Sequence, residues 1–425
     1  MKLSRIGRIS MALVVSVAMG LGLTACGGGT IAFMWVLGTQ YNQIAGFKVD
    51  NFTGNLTQVV GSPFSSNGTN PNSIAIKPGG RFVYVVNKGI PATSSTPETP
   101  GNIALFLVGG DGILSFQQTY SSRGTTPVWA TVDSTGGFLY VLDTLYPDTP
   151  EYPNPNHLGD ITVFAIDPNT GRLQLVPNQQ IKDTNQTQLT FFPVGPAPTM
   201  MRVAGSCLFT IDTGDQTVYP YGVGANGQLT FTANSTINTG AGNLTSININ
   251  GNFVYLTDAA PTADSTGGRV LPYTVGTGSS ACSLNTLTGG PINNLPLTSN
   301  PVYSMADASG KTLYVLNRSG VDPNNQTSSI SAFTIDPTTG KLFPLGTGGN
   351  GGTASPGNPY SVGAGPVCMV EDPTKQWVYT SNNIDSTITG KRLDSISGEL
   401  RALPRNSTFP TIGQPTCMAL SPNVN

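Results

Sequence analysis

Few side chains of this 425-residue chain are suited to acid–base chemistry. The one histidine, His157, lies three residues before Asp160, whose carboxylate could orient the imidazole ring. Histidine titrates near neutral pH and is the commonest general base. Arg202 is the nearest candidate cation in a predicted strand. We treat these residues as candidates and commit to none as catalytic, because a solvated loop position is the alternative for His157.

Motifs that bind phosphate, zinc or calcium are incomplete in this sequence. It has no complete phosphate-binding loop and no Gly-x-Ser-x-Gly nucleophile motif, and one histidine argues against a multi-histidine zinc site. Residues 322–325 and the pair Asp143 and Asp148 offer oxygen ligands, but neither set forms a full calcium loop. We therefore expect no metal and no cofactor.

The composition favours a β-rich globular protein. Hydrophobic residues make up 38% of the chain and occur in regular short runs, whereas charged residues make up only 10%. The 52 glycines and 33 prolines supply many tight turns. Because the net charge is −2 and no block of lysines or arginines occurs, the chain lacks the basic surface of a nucleic-acid-binding protein.

The N-terminus has the layout of an export signal. Basic residues among positions 2–8 precede an apolar run over residues 9–23, which is short for a membrane span and fits a signal peptide. The motif Leu-Thr-Ala-Cys that ends at Cys26 resembles the lipobox of bacterial lipoproteins. This resemblance implies cleavage before Cys26 and lipidation of that cysteine. We expect residues 1–25 to be the signal peptide and residues 26–30 to be the lipidated cysteine and a short glycine linker.

The lipid anchor would hold the protein in the cell envelope, outside the cytoplasm. Gly27, rather than an aspartate, follows Cys26, which by the lipoprotein rule points to the outer membrane in a Gram-negative host. Several acyl chains together give a stable anchor. The expected partners are the membrane, through this anchor, and a protein or glycan. We expect no nucleic acid partner, and we expect a monomer.

A repeated strand pattern runs through the remainder of the chain. In four units, twelve residues separate a proline from a strand tyrosine, and Asn or Asp follows the tyrosine three residues later. A second hairpin, Phe-x-Ile/Val-Asp followed by Gly-x-Leu, completes the unit. Two further units are degenerate copies. The clear proline and tyrosine pairs are Pro71 and Tyr84, Pro127 and Tyr140, Pro301 and Tyr314, and Pro366 and Tyr379.

Each unit predicts four strands, named a to d in chain order, and such repeats are typical of propeller blades. We therefore predict an all-β, seven-bladed β-propeller over residues 31–425. The first blade lacks an a strand, whereas an unpaired a strand over residues 415–422 ends the sequence. We expect this C-terminal strand to join blade 1 and close the ring, which removes an exposed sheet edge. The b strands centre on Trp35, Tyr84, Tyr140, Phe209, Tyr255, Tyr314 and Tyr379.

Three b strands, which end at Asn87, Asp143 and Asn317, resemble YVTN-type repeats. On these motifs the mature chain resembles the seven-bladed lactonase-type propeller family, which includes 6-phosphogluconolactonases, fungal carboxy-muconate cyclases and many bacterial surface proteins. The resemblance implies a histidine, with glutamate and arginine nearby, that faces the central channel and opens or closes lactone rings. The residues just after the blade prolines include none of these three types. This departure favours a binding or interaction scaffold, with a lactonase-like hydrolase of the 6-phosphogluconolactonase type as the alternative.

The loop lengths predict where such a scaffold would bind its partner. In a propeller the b–c and d–a loops emerge on one face, and here these are long, whereas the a–b and c–d turns on the other face are short. Binding residues concentrate on loops held by a rigid scaffold. We therefore predict a ligand face on the long-loop side, although its aromatic residues could instead anchor the loops. The candidates are Tyr146, Tyr152, Phe191, Phe192 and Tyr360.

Four cysteines follow Cys26, and an oxidising compartment would allow them to pair. Cys207 and Cys282 fall in the adjacent blades 4 and 5, and we predict a disulfide between them. Cys368 and Cys417 occupy the same position, two residues after the proline, in the neighbouring blades 7 and 1. We predict a second disulfide between them, which depends on whether equivalent positions of adjacent blades are close enough for a bridge.

Overall fold

The computed structural model describes most of the chain from residue 29 onward, and its regular elements in that part are β-strands. The strands form seven antiparallel sheets arranged as propeller blades, so the predicted all-β, seven-bladed fold is confirmed. Residues 1–28, with the predicted signal peptide and Cys26, lie outside the described residues. The structure describes residues 29–92, 95, 97–231, 236–259, 268–278, 281–294, 300–318, 328–346 and 357–422.

The first three blades contain the following strands. Blade 1 comprises β1 (Thr30–Gly38), β2 (Gln43–Asp50), β3 (Leu56–Gln58) and β4 (Phe64–Ser65). Blade 2 comprises β5 (Pro71–Ile76), β6 (Phe82–Asn87), β7 (Asn102–Val108) and β8 (Leu114–Tyr120). Blade 3 comprises β9 (Pro127–Val132), β10 (Phe138–Asp143), β11 (Leu158–Ile166), β12 (Leu173–Leu175) and β13 (Phe192–Pro196).

The remaining blades follow the same plan. Blade 4 comprises β14 (Pro198–Ala204), β15 (Cys207–Asp212), β16 (Thr217–Val223), β17 (Leu229–Phe231) and β18 (Ile237–Asn238). Blade 5 comprises β19 (Leu244–Asn250), β20 (Phe253–Asp258), β21 (Arg269–Val275), β22 (Leu284–Thr286) and β23 (Ile292–Asn293). Blade 6 comprises β24 (Asn300–Ala306), β25 (Thr312–Arg318), β26 (Ser329–Ile335), β27 (Leu342–Pro344) and β28 (Tyr360–Ser361). Blade 7 comprises β29 (Pro366–Glu371), β30 (Trp377–Asn382), β31 (Thr387–Leu393), β32 (Leu400–Ala402) and β33 (Thr408–Pro410), and the final strand is β34 (Pro415–Pro422).

The C-terminal strand closes the ring. Strand β34 pairs antiparallel with β1, with Ala419 opposite Trp35, and so supplies the a strand that blade 1 lacks. The predicted closure is therefore confirmed. The seven a strands contact one another in a closed circle around the central channel, in the order β34, β5, β9, β14, β19, β24 and β29.

In four blades the repeated tyrosine of strand b joins the blade to the next. The hydroxyl of Tyr84 donates a hydrogen bond to the carbonyl of Gly171 in blade 3 at 2.7 Å, and that of Tyr379 donates to Gly54 across the ring closure at 2.6 Å. A buried phenol needs such a partner because an unpaired polar group costs about 1–3 kcal/mol. The bond accounts for the tyrosine in these four blades, whereas the buried hydroxyl of Tyr140 in blade 3 has no hydrogen-bond partner among the described residues. The same bond joins Tyr255 to Gly340 and Tyr314 to Gly398.

The core lies between the blades rather than within one layer. All six residues of β6, β15 and β30 are buried, because these b strands are covered on both faces by the adjacent blades. The outer d strands, such as β3, are largely exposed. The a strands therefore pack against rigid, buried b strands, which hold the channel-facing side chains of the a strands in fixed positions.

Candidate active site in the central channel

The seven a strands contain two charged residues, Arg202 in β14 and Glu371 at the end of β29. Both line a cavity of about 390 Å³. This volume suits a small molecule. Because most of the lining comes from the second halves of the a strands, the cavity lies toward the short-turn face. Other lining residues are Asn248, Tyr303, Met305, Met369 and Met418.

Two aromatic rings hold the Arg202 side chain. Its guanidinium lies 4.9 Å from the ring centre of Trp129 and 5.6 Å from that of Tyr303, and Nη2 donates a hydrogen bond to the Tyr303 hydroxyl at 2.8 Å. These cation–π contacts fix a positive charge in the channel. Burial raises the pKa of Tyr303, although the charge of Arg202 opposes this change. The phenol therefore stays protonated, and its own hydrogen is available to a ligand.

The Glu371 carboxyl group has one oxygen with a hydrogen-bond partner and one without, among the described residues. Its Oε2 accepts a hydrogen bond from the backbone N–H of Ala308 at 2.7 Å, whereas the buried Oε1 has no hydrogen-bond partner among the described residues. Burial, with smaller contributions from the charges of Asp307 and Asp372, raises the pKa of Glu371 to about 7. Such a carboxyl is partly ionised at neutral pH, which is the state required of a general base.

Two thiols lie beside this site. The Sγ atoms of Cys368 and Cys417 are 2.7 Å apart, but both residues are unbridged, so the structure does not contain the second predicted disulfide. The pKa of Cys368 is lowered overall. Burial by itself would raise it, but the hydrogen bond from Cys417 and the charge of Arg202 are among the effects that together outweigh burial. The hydrogen bond to Cys368, followed by burial, raises the pKa of Cys417. Equivalent positions in adjacent blades are therefore close enough for contact.

The other predicted cysteine pair is bridged. Cys207 in β15 and Cys282, which precedes β22, form a disulfide with an S–S distance of 2.00 Å and a Cα–Cα distance of 5.4 Å. The bond links the b strand of blade 4 to the turn before the d strand of blade 5. It therefore supports the packing of two neighbouring blades and lies away from the channel cavity.

The structure does not bring the predicted pair His157 and Asp160 together. His157 is exposed on the loop between β10 and β11, whereas Asp160 is fully buried and its carboxyl group accepts a hydrogen bond from the Thr162 hydroxyl at 3.4 Å. The hypothesis that Asp160 orients His157 is therefore wrong. The reason is the pairing of β11, which places Asp160 opposite Asp143 of β10 and directs it inward.

Asp143 and Asp160 form a buried carboxyl pair in blade 3. The Ser122 hydroxyl donates to Asp143 at 2.7 Å, and one oxygen of each carboxyl group has no hydrogen-bond partner among the described residues. Burial raises the pKa of both groups, and the proximity of Asp143 raises that of Asp160 further. Other blades avoid facing carboxylates at this position. They hold Asn87 and Asn102, Asp212 and Thr217, Asp258 and Arg269, Asn317 and Ser329, and Asn382 and Thr387.

The predicted aromatic ligand face is wrong, because its side chains are turned into the protein. Tyr146 and Phe191 stack at 5.3 Å, and Tyr152 packs against both rings. Tyr146 and Phe191 are each only 6% exposed. Phe192 and Tyr360 are buried in the main core. These residues anchor the long loops, which is the alternative interpretation, and do not offer a surface for a glycan or protein.

Metal and membrane-spanning features receive no support within the described ranges. These residues include no group of three or more His, Cys, Asp or Glu side chains that could hold a metal ion. Asp148 instead accepts a hydrogen bond from the Asn154 backbone at 2.7 Å, and residues 322–325 lie outside the described part. Among the residues that the structure describes, none belongs to a helix long and apolar enough to span a membrane.

Reasoning from sequence missed Glu371 and Tyr303 as site residues. The family pattern places catalytic residues just after each proline, at the start of the a strand. Glu371 lies at the other end of its a strand. A useful signal was present nevertheless. Among the residues of the seven a strands, only Arg202 and Glu371 are charged, and a charge in a strand that faces other strands needs a reason.

Comparisons with known proteins agree with this architecture. Residues 30–191 match the protein family described as lactonase, 7-bladed beta-propeller. A putative 6-phosphogluconolactonase from Bacteroides fragilis is 17% identical, with a TM-score of 0.64 over 92% of this chain and 98% of that chain. A protein from Lactobacillus plantarum is 18% identical, with a TM-score of 0.66 over 92% of this chain and 100% of that chain. The periplasmic gluconolactonase of Pseudomonas aeruginosa is 16% identical, with a TM-score of 0.60 over 92% of this chain and 99% of that chain. No protein of curated function matches the sequence.

Proposed function

We propose that this chain, a seven-bladed β-propeller whose residues 30–191 match the lactonase family, hydrolyses lactones in the central channel. The observation that carries this proposal is the shared cavity of Arg202, Tyr303 and Glu371. It holds a fixed cation, a phenol donor and a carboxyl group with one unpaired oxygen. The gluconolactonase names of two similar structures support a sugar lactone as the substrate class.

In this mechanism Glu371 acts as the general base. Its ionised carboxylate takes a proton from a water molecule that attacks the lactone carbonyl carbon. The carbonyl oxygen becomes an oxyanion, which the Arg202 guanidinium and the Tyr303 hydroxyl stabilise. When the tetrahedral intermediate collapses, the ring C–O bond breaks and the leaving oxygen takes the proton from Glu371. One lactone and one water thus give one hydroxy acid.

We further propose that the protein acts outside the cytoplasm, attached through acyl chains on Cys26. The signal-like N-terminus and the lipobox resemblance support this location. The Cys207–Cys282 disulfide fits an oxidising compartment. The Pseudomonas aeruginosa structure described as periplasmic also supports it. Proteolysis of intact and permeabilised cells, with Cys26→Ala as the control, would test the location.

Lactone hydrolysis by the purified full chain in detergent tests the activity. Suitable substrates are 6-phosphogluconolactone, gluconolactone and simple lactones, each measured against its spontaneous hydrolysis. We expect a rate above background for a sugar lactone, loss of that rate in Arg202→Met, and no change in His157→Ala. Background rates throughout the panel would contradict the hydrolase. Tight binding without turnover would instead support a scaffold that holds the lactone.

A further inference from the structure

Four c–d turns on the short-turn face share one construction. Each has five residues, begins with Asp and ends with Gly, and the Asp carboxylate accepts hydrogen bonds from the backbone N–H groups of the third and fourth residues. In blade 1 these bonds run from Phe52 and Thr53 to Asp50, at 3.1 and 2.9 Å. The four turns are residues 50–54, 167–171, 336–340 and 394–398, and the other three contain the same bonds.

The third residue of each turn is its exposed tip, and its type differs between blades. Blades 3 and 6 have the polar tips Asn169 and Thr338, whereas blades 1 and 7 have Phe52 and Ile396. Phe52 is 73% exposed and Ile396 is 92% exposed. Because the turn forms equally well around a polar tip, the local fold does not require these apolar residues. Two of them in neighbouring blades indicate contact with something apolar outside the chain.

The apolar tip of blade 1 lies beside the point where the described chain begins. The Gly29 carbonyl accepts a hydrogen bond from the backbone N–H of Asn51 at 3.0 Å, so the N-terminal segment leaves the body next to Phe52. Cys26 is three residues further upstream, and three extended residues span at most about 11 Å. An acyl anchor at Cys26 would therefore hold this part of the short-turn face close to the bilayer.

Basic side chains accompany the apolar tip of blade 7. A cavity of about 310 Å³ in blade 7 is lined by Lys375, Arg392, Arg401 and Ile396. Arg401 bridges Glu399 at 3.0 Å and Asp394 at 3.7 Å, whereas Lys375 and Arg392 are exposed. Apolar tips among lysine and arginine residues are the combination that favours the headgroup region of a membrane with anionic lipids.

We propose that the short turns of blades 7 and 1 dock on the membrane surface, with Phe52 and Ile396 inserted at the boundary between headgroups and acyl chains, and Lys375 and Arg392 facing lipid phosphates. The proposal rests on acylation of Cys26 and is independent of the channel chemistry. Because blades 3 and 6 have polar tips, the ring rests on one edge. The mouth of the channel on the same face therefore stays clear of the bilayer.

Tryptophan quenching in vesicles tests this docking. The variants Phe52→Trp and Ile396→Trp, with Asn169→Trp as the matched control in the equivalent turn, would be prepared as the acylated full chain, with acylation verified by intact mass. Each would be reconstituted in phosphatidylethanolamine and phosphatidylglycerol vesicles that carry brominated acyl chains. The three native tryptophans are at most 9% exposed, and their signal is subtracted with the unsubstituted protein.

Bromine quenches tryptophan that lies at the level of the acyl chains. We expect the fluorescence of the reporters at positions 52 and 396 to fall about twofold, whereas the reporter at position 169 should stay near its value in unbrominated vesicles. Equal quenching at all three positions, or none at 52 and 396, would overturn the proposal. A chain without acyl groups would also overturn it. None of these outcomes bears on lactone hydrolysis, which is measured separately in detergent.

Discussion

Glu371 in the channel and the pair Asp143 and Asp160 in blade 3 are buried carboxyl groups with raised pKa values, and their surroundings differ. Glu371 lines a cavity that also contains Arg202, so a substrate has room beside it. Asp143 and Asp160 face each other within blade 3, and a side-chain carbon at Gly124 would collide with both residues. A raised pKa therefore reports burial. The cavity and the fixed cation distinguish a candidate for catalysis from a structural pair.

Removing the channel carboxylate gives the largest expected effect. Glu371→Gln keeps the size of the side chain but cannot accept a proton, so we expect kcat/KM for lactone hydrolysis to fall about 10²- to 10⁴-fold.

The same variant should change how stability depends on pH. In the wild type the pKa of Glu371 is raised to about 7, so the stability that the protonated carboxyl group contributes is present at low pH and is lost as the pH rises through 7. The glutamine variant should therefore gain stability relative to wild type at pH 8 but not at pH 4. Unfolding of both proteins at the two pH values checks this sign, and a variant less stable at both would contradict it.

Removing the channel cation should have a somewhat smaller effect. Arg202→Met leaves an apolar side chain between Trp129 and Tyr303 but removes the charge that would stabilise the oxyanion. We expect kcat/KM to fall about 10²- to 10³-fold, the usual effect of losing one oxyanion partner. Arg202→Lys should recover part of the rate because it restores the charge. Steady-state kinetics measure both, and equal rates in Met and Lys variants would rule out a role for the charge.

A buried loop aromatic should affect stability and leave activity unchanged. Phe191→Ala removes the ring that Tyr146 and Tyr152 pack against, so we expect a loss of about 3 kcal/mol in the free energy of unfolding. The rate per folded molecule should stay at the wild-type value, since these residues anchor a loop. Ile396→Ala, at a site 92% exposed, should change stability by less than about 0.5 kcal/mol. Denaturant titration measures both; unchanged stability in Phe191→Ala would show that the cluster does not anchor the loop.

Substitution in the blade 3 pair should change stability and, unlike substitution at a catalytic site, leave activity unchanged. Asp160→Asn removes one of two facing carboxyl groups and places an amide donor opposite the Asp143 carboxyl group, at the position where Asn87 and Asn102 bond at 2.8 Å in blade 2. The pKa values of Asp143 and Asp160 are both raised, so the stability that their protonated forms contribute is lost as the pH rises. We expect the variant to gain about 1–3 kcal/mol at pH 9, less at pH 5, with activity unchanged. A stability loss at pH 9 would show that the pair is favourable.

Most of the fold could be predicted because the repeat is strong. The spacing from Pro71 to Tyr84 recurs in blades 6 and 7, and in these three blades, as in blade 5, the tyrosine donates to a glycine carbonyl in the next blade. The closing strand could be predicted for the same reason, because an a strand without a hairpin partner must pair elsewhere. These features depend on local pattern and on one repeated contact.

The site could be predicted only in part. Arg202 was recognisable as a cation in an a strand, but Glu371 lies at the opposite end of its strand from the position that the family pattern indicates. The burial of Phe191 depends on how a long loop folds back on itself, and the repeated strand pattern does not predict the conformation of that loop. Likewise, Asp160 faces Asp143 only once the register of β10 and β11 is known.

The pH dependence of kcat/KM for lactone hydrolysis, corrected for the spontaneous reaction, tests the central claim most directly. If Glu371 is the general base, kcat/KM in the wild type rises with pH through a midpoint near 7, the raised pKa of this carboxyl group, and then reaches a plateau. Glu371→Gln should lack that midpoint, and its rate should be low at every pH. A wild-type profile without a transition near 7, or the same transition in the glutamine variant, would contradict the assignment of Glu371 and the channel as the site of catalysis.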